Sequence, residues 1–203
     1  MLTTIFFDIG GVLLTDGWGH ESRRAAAERF GLDWEDYADR HERLGHQIET
    51  NQMTLDQYLE RTIFCRPRDF SREEFRAFVF AQSVAKPDSL AIVAELAASQ
   101  GYFLATINNE ILELNVYRLE HFELGRYFSA FFSSCFLRLR KPDEGIYRTA
   151  LQVTQRQPGE CLFIDDREVN LECPRELGMT TILFRDASQL RSDLTRAGIR
   201  LGG

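Results

Sequence analysis

A chain of 203 residues, 44% hydrophobic and 27% charged, has the composition of an ordinary globular protein, long enough for one large domain or a domain with an insertion. Its formal net charge is −7 and its Arg and Lys residues are scattered, so it lacks the basic face that a nucleic-acid backbone demands. No apolar run approaches the length of a membrane span, which sets membrane insertion aside.

Residues 3–7 are apolar and β-branched or aromatic, and read as a buried strand that ends on Asp8 and a glycine-loosened turn, Ile9-Gly10-Gly11. No signal peptide's basic start precedes that strand, so a cytoplasmic location is expected. Residues 20–84 offer no strand but several helix starts. Thr54-Leu55-Asp56-Gln57 and Ser71-Arg72-Glu73-Glu74 match the capping-box pattern, and Leu55, Tyr58 and Leu59, then Phe75, Phe78 and Val79, follow at helical spacing. Beyond this stretch strands and helices alternate. Strands are predicted at 102–106, 130–136, 161–165 and 180–184, and helices at 89–99, 144–153 and 168–177. That order predicts an α/β protein with a Rossmann-like parallel sheet. The core would be residues 1–16 and 86–203, and residues 17–85 a helical lid over the sheet's C-terminal edge, where open α/β sheets bind ligands. Asp16–Gly19 and Ala85–Pro87 are the hinge candidates. Cys65, Cys135, Cys161 and Cys173 show no C-x-x-C spacing and read as thiols, buried in the cases of Cys135 and Cys161.

Asp8 is the first candidate for chemistry. An ionised carboxylate at the end of a buried strand costs several kcal/mol unless a partner offsets it, although an Asp that caps a turn is equally common. Three more features fall at strand ends. Thr106, followed by Ile107-Asn108-Asn109, offers a hydroxyl and backbone N–H groups for a phosphoryl oxygen, or is simply part of a polar turn. Lys141 in Arg140-Lys141-Pro142-Asp143 is a local cation, or a solvated lysine before a helix. Asp165 and Asp166 are adjacent carboxylates that repel by about 4 kcal/mol at about 4 Å, and a hard divalent cation such as Mg²⁺ relieves that repulsion.

Together these residues resemble the haloacid dehalogenase-like hydrolase superfamily, over nearly the whole chain and in the family's order. The text from Arg-Lys-Pro through Phe-Ile-Asp-Asp to Glu-Leu-Gly-Met is especially similar, and the insertion resembles the family's helical cap of the C1 type. The resemblance implies a phosphatase acting on a small phosphorylated metabolite. Asp8 would attack phosphorus to give an aspartyl-phosphate, and Mg²⁺ would be held by Asp8, the Gly10 carbonyl, Asp165 and Asp166, with Asp166 the more direct ligand. Thr106 and Lys141 would bind the phosphoryl oxygens. Asn108 would replace the hydroxyl if Ile107 rather than Thr106 holds that position.

Gly10 departs from the pattern, because many phosphatases of this superfamily carry a second Asp there as general acid and base. Either the leaving group needs little protonation, or a nearby residue supplies the proton, Asp16 and His20 being the nearest. Phe136-Leu137-Arg138 also departs, since relatives have a smaller turn before the lysine. Trp18 could line the cleft or pack at the hinge. Arg23, Arg24 and Arg29 read as a solvated face, and His41, His46 and His121 as solvated helix residues. Two other functions stay open: a haloacid dehalogenase, which needs no Mg²⁺, and a non-catalytic binding member that lost turnover along with its acid.

Overall fold

Strict alternation along the first strand sets the layers. In the computed structural model, which describes residues 1–201, β1 (Thr4–Phe7) sends Ile5 and Phe7 to one face of a sheet and Phe6 to the other. Five helices follow before the next strand, and the first four are α1 (His20–Arg29), α2 (Trp34–Glu49), α3 (Leu55–Thr62) and α4 (Arg72–Ala81). Of the two capping boxes expected, one forms in full and the other as a simple N-cap. Thr54 and Gln57 make a reciprocal capping box, and Ser71 accepts from Glu74 N. These helices bury an aromatic cluster that includes Trp18, Tyr37, Tyr58 and Phe75.

The rest alternates as expected: α5 (Pro87–Ser99), β2 (Phe103–Asn108), α6 (Leu112–His121), β3 (Ala130–Ser133), α7 (Ser134–Leu137), α8 (Glu144–Thr154), β4 (Cys161–Asp165), α9 (Val169–Glu176), β5 (Thr180–Leu183) and α10 (Ala187–Arg196). Two strand ends move by more than one residue. β2 runs two residues past the predicted end, and the predicted strand 130–136 stops at Ser133, where α7 begins.

All four strand pairings are parallel, in the order β3-β2-β1-β4-β5. Apolar residues of α5 and α10 cover the face carrying Ile5 and Phe7, while α8 and α9 cover the face carrying Phe6 and Phe163. The chain thus builds outward from β1 to β3, crosses back, and builds outward again from β4. The seam between β1 and β4 is the point where strand order reverses, which opens a crevice at the strand tips. Their register sets Phe7 beside Ile164, so Asp8 and Asp165 emerge together at that crevice.

Two chain passages join the helices to the sheet, and they run side by side. Leu14 and Ala85 form an antiparallel bridge, Thr15 N donates to Val84 O at 2.8 Å and Lys86 N to Leu13 O at 2.9 Å. Among the described residues no helix is long and apolar enough to cross a membrane. All four cysteines are free thiols, with Cys135 and Cys161 buried.

Candidate active site

Asp8 sits at the floor of a polar cavity of about 460 Å³ between the sheet's C-terminal edge and helices α1 and α2. Its Oδ1 accepts from Ile9 N at 2.8 Å and lies 2.8 Å from Lys141 Nζ, while Oδ2 has no protein partner among the described residues. Lys141 is 2% exposed and its ammonium also reaches Asp165 Oδ2 at 2.7 Å. Asp165 has no exposed surface and spends both oxygens on protein: Oδ1 accepts from Arg167 N at 2.8 Å, and Asn170 Nδ2 donates to both at 3.0 and 3.1 Å. Asp166, by contrast, lines the cavity.

Oxygens of Asp8, Asp165 and Asp166 all lie within 4.8 Å of one another. One ammonium faces three carboxylates, so the cluster carries a local charge deficit. Burial raises the Asp8 carboxyl, Lys141 pulls it down, and Asp165 and Asp166 raise it again, which leaves it at about 8. Burial, then Asp165, also raises the Asp166 carboxyl. Burial acts to lower the Lys141 ammonium, but Asp8 and Asp165 outweigh it and hold the group above its ordinary value. An all-oxygen donor set of this kind would suit a hard divalent cation such as Mg²⁺. Gly11 shows how tightly the turn approaches: its φ is +73°, and a Cβ there would overlap the Asp166 carboxylate.

Two predicted site residues are not brought to the cavity. Thr106 pairs with Phe7 inside the sheet, one level below Asp8, and its fully buried hydroxyl has no partner among the described residues. Asn108 is also buried; its Nδ2 donates to Asn115 Oδ1 at 2.9 Å, and its Oδ1 accepts from Ser133 Oγ at 2.9 Å. The reason for both is strand length: β2 continues to Asn108, so the first residue past its tip is Asn109. Asn109 does line the cavity and clamps the lysine backbone, with Nδ2 donating to Lys141 O and Oδ1 accepting from Lys141 N, both at 2.9 Å. Gly10 lines the cavity as expected.

The helices contribute more than sequence reading found. Arg23 lines the cavity and its guanidinium donates to Trp18 O, so it belongs to the site rather than to a solvated face. Arg24 and Arg29 instead lie over Trp34 and over Phe30 and Phe78. Trp18 does both things expected of it, lining the cavity and packing edge-on against Phe75 and Phe78. Ion pairs Arg140–Glu49 and Arg118–Glu110 complete the walls. Arg138 has φ +58°, a conformation glycine adopts freely.

His41 is a correction. It is not solvated but lines the cavity, with Nδ1 2.8 Å from Tyr58 Oη, which in turn lies 3.2 Å from Tyr37 Oη. Burial, then Arg23 and Arg140, drive its pKa down to about 3. The unfolded chain therefore takes up a proton below about pH 6.5 that the folded chain refuses, so this residue removes stability as pH falls toward 3. Urea unfolding at pH 7 and pH 5 should show His41→Gln gaining about 2 kcal/mol on the wild type over that interval. Parallel losses in the two proteins would show that His41 titrates normally. His46 and His121 are exposed, as predicted.

A family model described as haloacid dehalogenase-like hydrolase matches residues 2–178. With the sheet, the switch-point aspartates and this match in hand, the chain belongs to the haloacid dehalogenase-like hydrolases. Among curated relatives, flavin mononucleotide hydrolase 1 of Arabidopsis thaliana is 28% identical over 155 residues, covering 76% of this chain and 62% of that protein. Bifunctional epoxide hydrolase 2 of Rattus norvegicus is 32% identical over 131 residues, covering 62% of this chain but 23% of that protein. This chain thus spans under two thirds of either relative. Among solved structures, a HAD family enzyme from Bacteroides thetaiotaomicron superposes with a TM-score of 0.79 at 20% identity, over 94% of this chain and 98% of that one. The same enzyme has been solved with magnesium and inorganic phosphate, and that form superposes with a TM-score of 0.76 at 19% identity, over 94% of this chain and 99% of that one. A dehalogenase gives a TM-score of 0.70 at 20% identity, over 95% and 97% of the two chains.

Proposed function

We propose that this hydrolase is a Mg²⁺-dependent phosphatase that removes phosphate from a small phosphorylated metabolite, with Asp8 as nucleophile. The observation that carries the reading is the acidic trio with a single buried ammonium wedged into it. A haloalkanoate substrate presents no phosphoryl dianion at the reacting centre, so alkyl-halide chemistry does not call for so much extra positive charge there. A phosphate dianion does.

Each residue then has a physical task. Ile9 N and Lys141 Nζ hold Asp8 Oδ1, which leaves Oδ2 free to attack phosphorus in line and form an aspartyl-phosphate. The carboxylates of Asp8 and Asp166, with the Gly10 carbonyl beside them, would hold the cation, and Asp165 would orient Lys141 and Asn170. Bound there, Mg²⁺ supplies the charge that lets a dianion approach several carboxylates. Lys141 and Asn109 stand where phosphoryl oxygens can be met. Arg23, His41 and the Glu49–Arg140 pair wall the leaving-group side, so substrate choice rests with them.

The test is phosphate release across a panel of phosphate esters that includes flavin mononucleotide, run beside halide release from short 2-haloacids. Turnover of phosphate esters should require Mg²⁺ and fall at least about 100-fold with excess chelator, consistent with the cation's share of charge stabilisation. Halide release insensitive to chelator would replace this reading with dehalogenation. No turnover of either kind would leave a binding protein.

A further inference from the structure

The cavity has five lining carboxylates, and four are already engaged. Glu49 pairs with Arg140, Glu110 with Arg118, Asp8 with Lys141, and Asp166 completes the acidic trio. Neither Asp166 nor Asp16 makes an ion pair or a hydrogen bond through its carboxylate among the described residues, but Asp166 belongs to the trio, which leaves Asp16, exposed to the cavity, as the carboxylate without a task. Its position is specific. A Cβ built on Gly10 would lie 3.2 Å from Asp16 Oδ1, so this carboxylate stands where a side chain at position 10 would begin.

Asp16 is also held there firmly. The preceding residue is fixed on three sides: Thr15 N donates to Val84 O at 2.8 Å, Thr15 Oγ1 accepts from Val84 N at 2.9 Å, and Thr15 O accepts from Arg118 Nη2 at 2.6 Å. Arg118 is 2% exposed and locked by its ion pair with Glu110, so a buried crosslink from α6 clamps this loop to the core. On the other side Gly19 leaves no room to spare, because a Cβ there would overlap the Asp16 carboxylate. His20, the other nearby candidate, also lines the cavity, but it is largely exposed and its Nδ1 lies 3.0 Å from Glu21 Oε1.

We infer that Asp16 is the general acid and base of this hydrolase, reaching from the loop after β1 into the space left by Gly10. The inference rests on the phosphatase reading above. As Asp8 Oδ2 bonds to phosphorus and the bond from phosphorus to the leaving oxygen breaks, the Asp16 carboxyl passes its proton to that oxygen, and the alcohol departs. In the second half Asp16, now a carboxylate, takes a proton from the water whose oxygen attacks the aspartyl-phosphate. The bond from phosphorus to Asp8 breaks, inorganic phosphate leaves, and both side chains return to their starting forms.

The consequence is that poor leaving groups are handled well despite Gly10. The experiment measures kcat/KM for wild type and Asp16→Asn on acetyl phosphate, p-nitrophenyl phosphate and glycerol phosphate, in order of worsening leaving group. In Asp16→Asn the value for glycerol phosphate should fall about 10²- to 10⁴-fold, the usual worth of a general acid, while that for acetyl phosphate falls no more than a few-fold. The melting temperature and its rise with Mg²⁺ should match the wild type, since Asp16 makes no contact that holds the fold. Asp16→Ala combined with Gly10→Asp should recover at least about tenfold on glycerol phosphate relative to Asp16→Ala, because the new carboxylate fills the vacated space. A uniform loss across the three substrates, or none, overturns the assignment while the phosphatase reading stands. A wild type inactive on all three overturns both.

Discussion

Asp8→Asn should lose turnover by about 10⁴-fold or more while its melting temperature stays level or rises. The amide has the same shape, so Ile9 N and Lys141 Nζ keep an oxygen to bond. What disappears is the negative charge that makes Oδ2 a nucleophile. Stability should not suffer, because this carboxylate is squeezed by burial and by Asp165 and Asp166, which together hold its pKa near 8 against the pull of Lys141. Replacing it with a neutral group relieves that repulsion. The same change weakens the cation site, so the rise in melting temperature on adding Mg²⁺ should shrink in the variant. Phosphate release and thermal melts with and without Mg²⁺ measure both effects. A variant retaining a tenth of the wild-type rate would remove Asp8 from the chemistry.

Much of this was legible in the residues. Alternating apolar strands and amphipathic helices dictated the parallel sheet, and the helical text of residues 20–84, with real caps at Thr54 and Ser71, marked the insertion. Asp8, Lys141, Asp165 and Asp166 could be picked out because each ends or follows a strand, and the fold brings those tips together at the β1–β4 seam. The second strand was harder. Nothing in Phe103–Asn108 says where a strand with apolar and polar residues intermixed should stop. An error of two residues was enough to put Thr106 and Asn108 on the site in place of Asn109. Hidden altogether were the groups that reach the cavity from the helices, Arg23, His41 and Glu49, since a helical pattern reveals which face is polar but not what that face looks upon. Arg118 was equally silent. A basic residue near the end of a helix normally meets water, and only the fold reveals the buried Glu110 and Thr15 carbonyl that receive it.

Lys141→Met should be the most destabilising single change at the site, and its cost should depend on pH. The side chain is 2% exposed, and its ammonium touches Asp8 Oδ1 and Asp165 Oδ2, so methionine leaves two buried carboxylates facing each other with no cation between. Removing one partner from a buried ionic cluster costs about 3–5 kcal/mol. The folded chain can soften that cost only by keeping a proton on Asp8, whose folded pKa, already raised to about 8, then climbs further above the unfolded value. Folding then takes up protons, so the variant's stability falls as pH rises, and its deficit relative to wild type should be smaller at pH 5 than at pH 8. Mg²⁺ restores positive charge at the same spot and should recover part of the loss at pH 8, though not the turnover, because the phosphoryl oxygens lose their ammonium. Urea unfolding at the two pH values, with and without Mg²⁺, decides the matter. An equal deficit at both would mean that Lys141 serves the fold through the space its buried methylenes fill rather than through its charge.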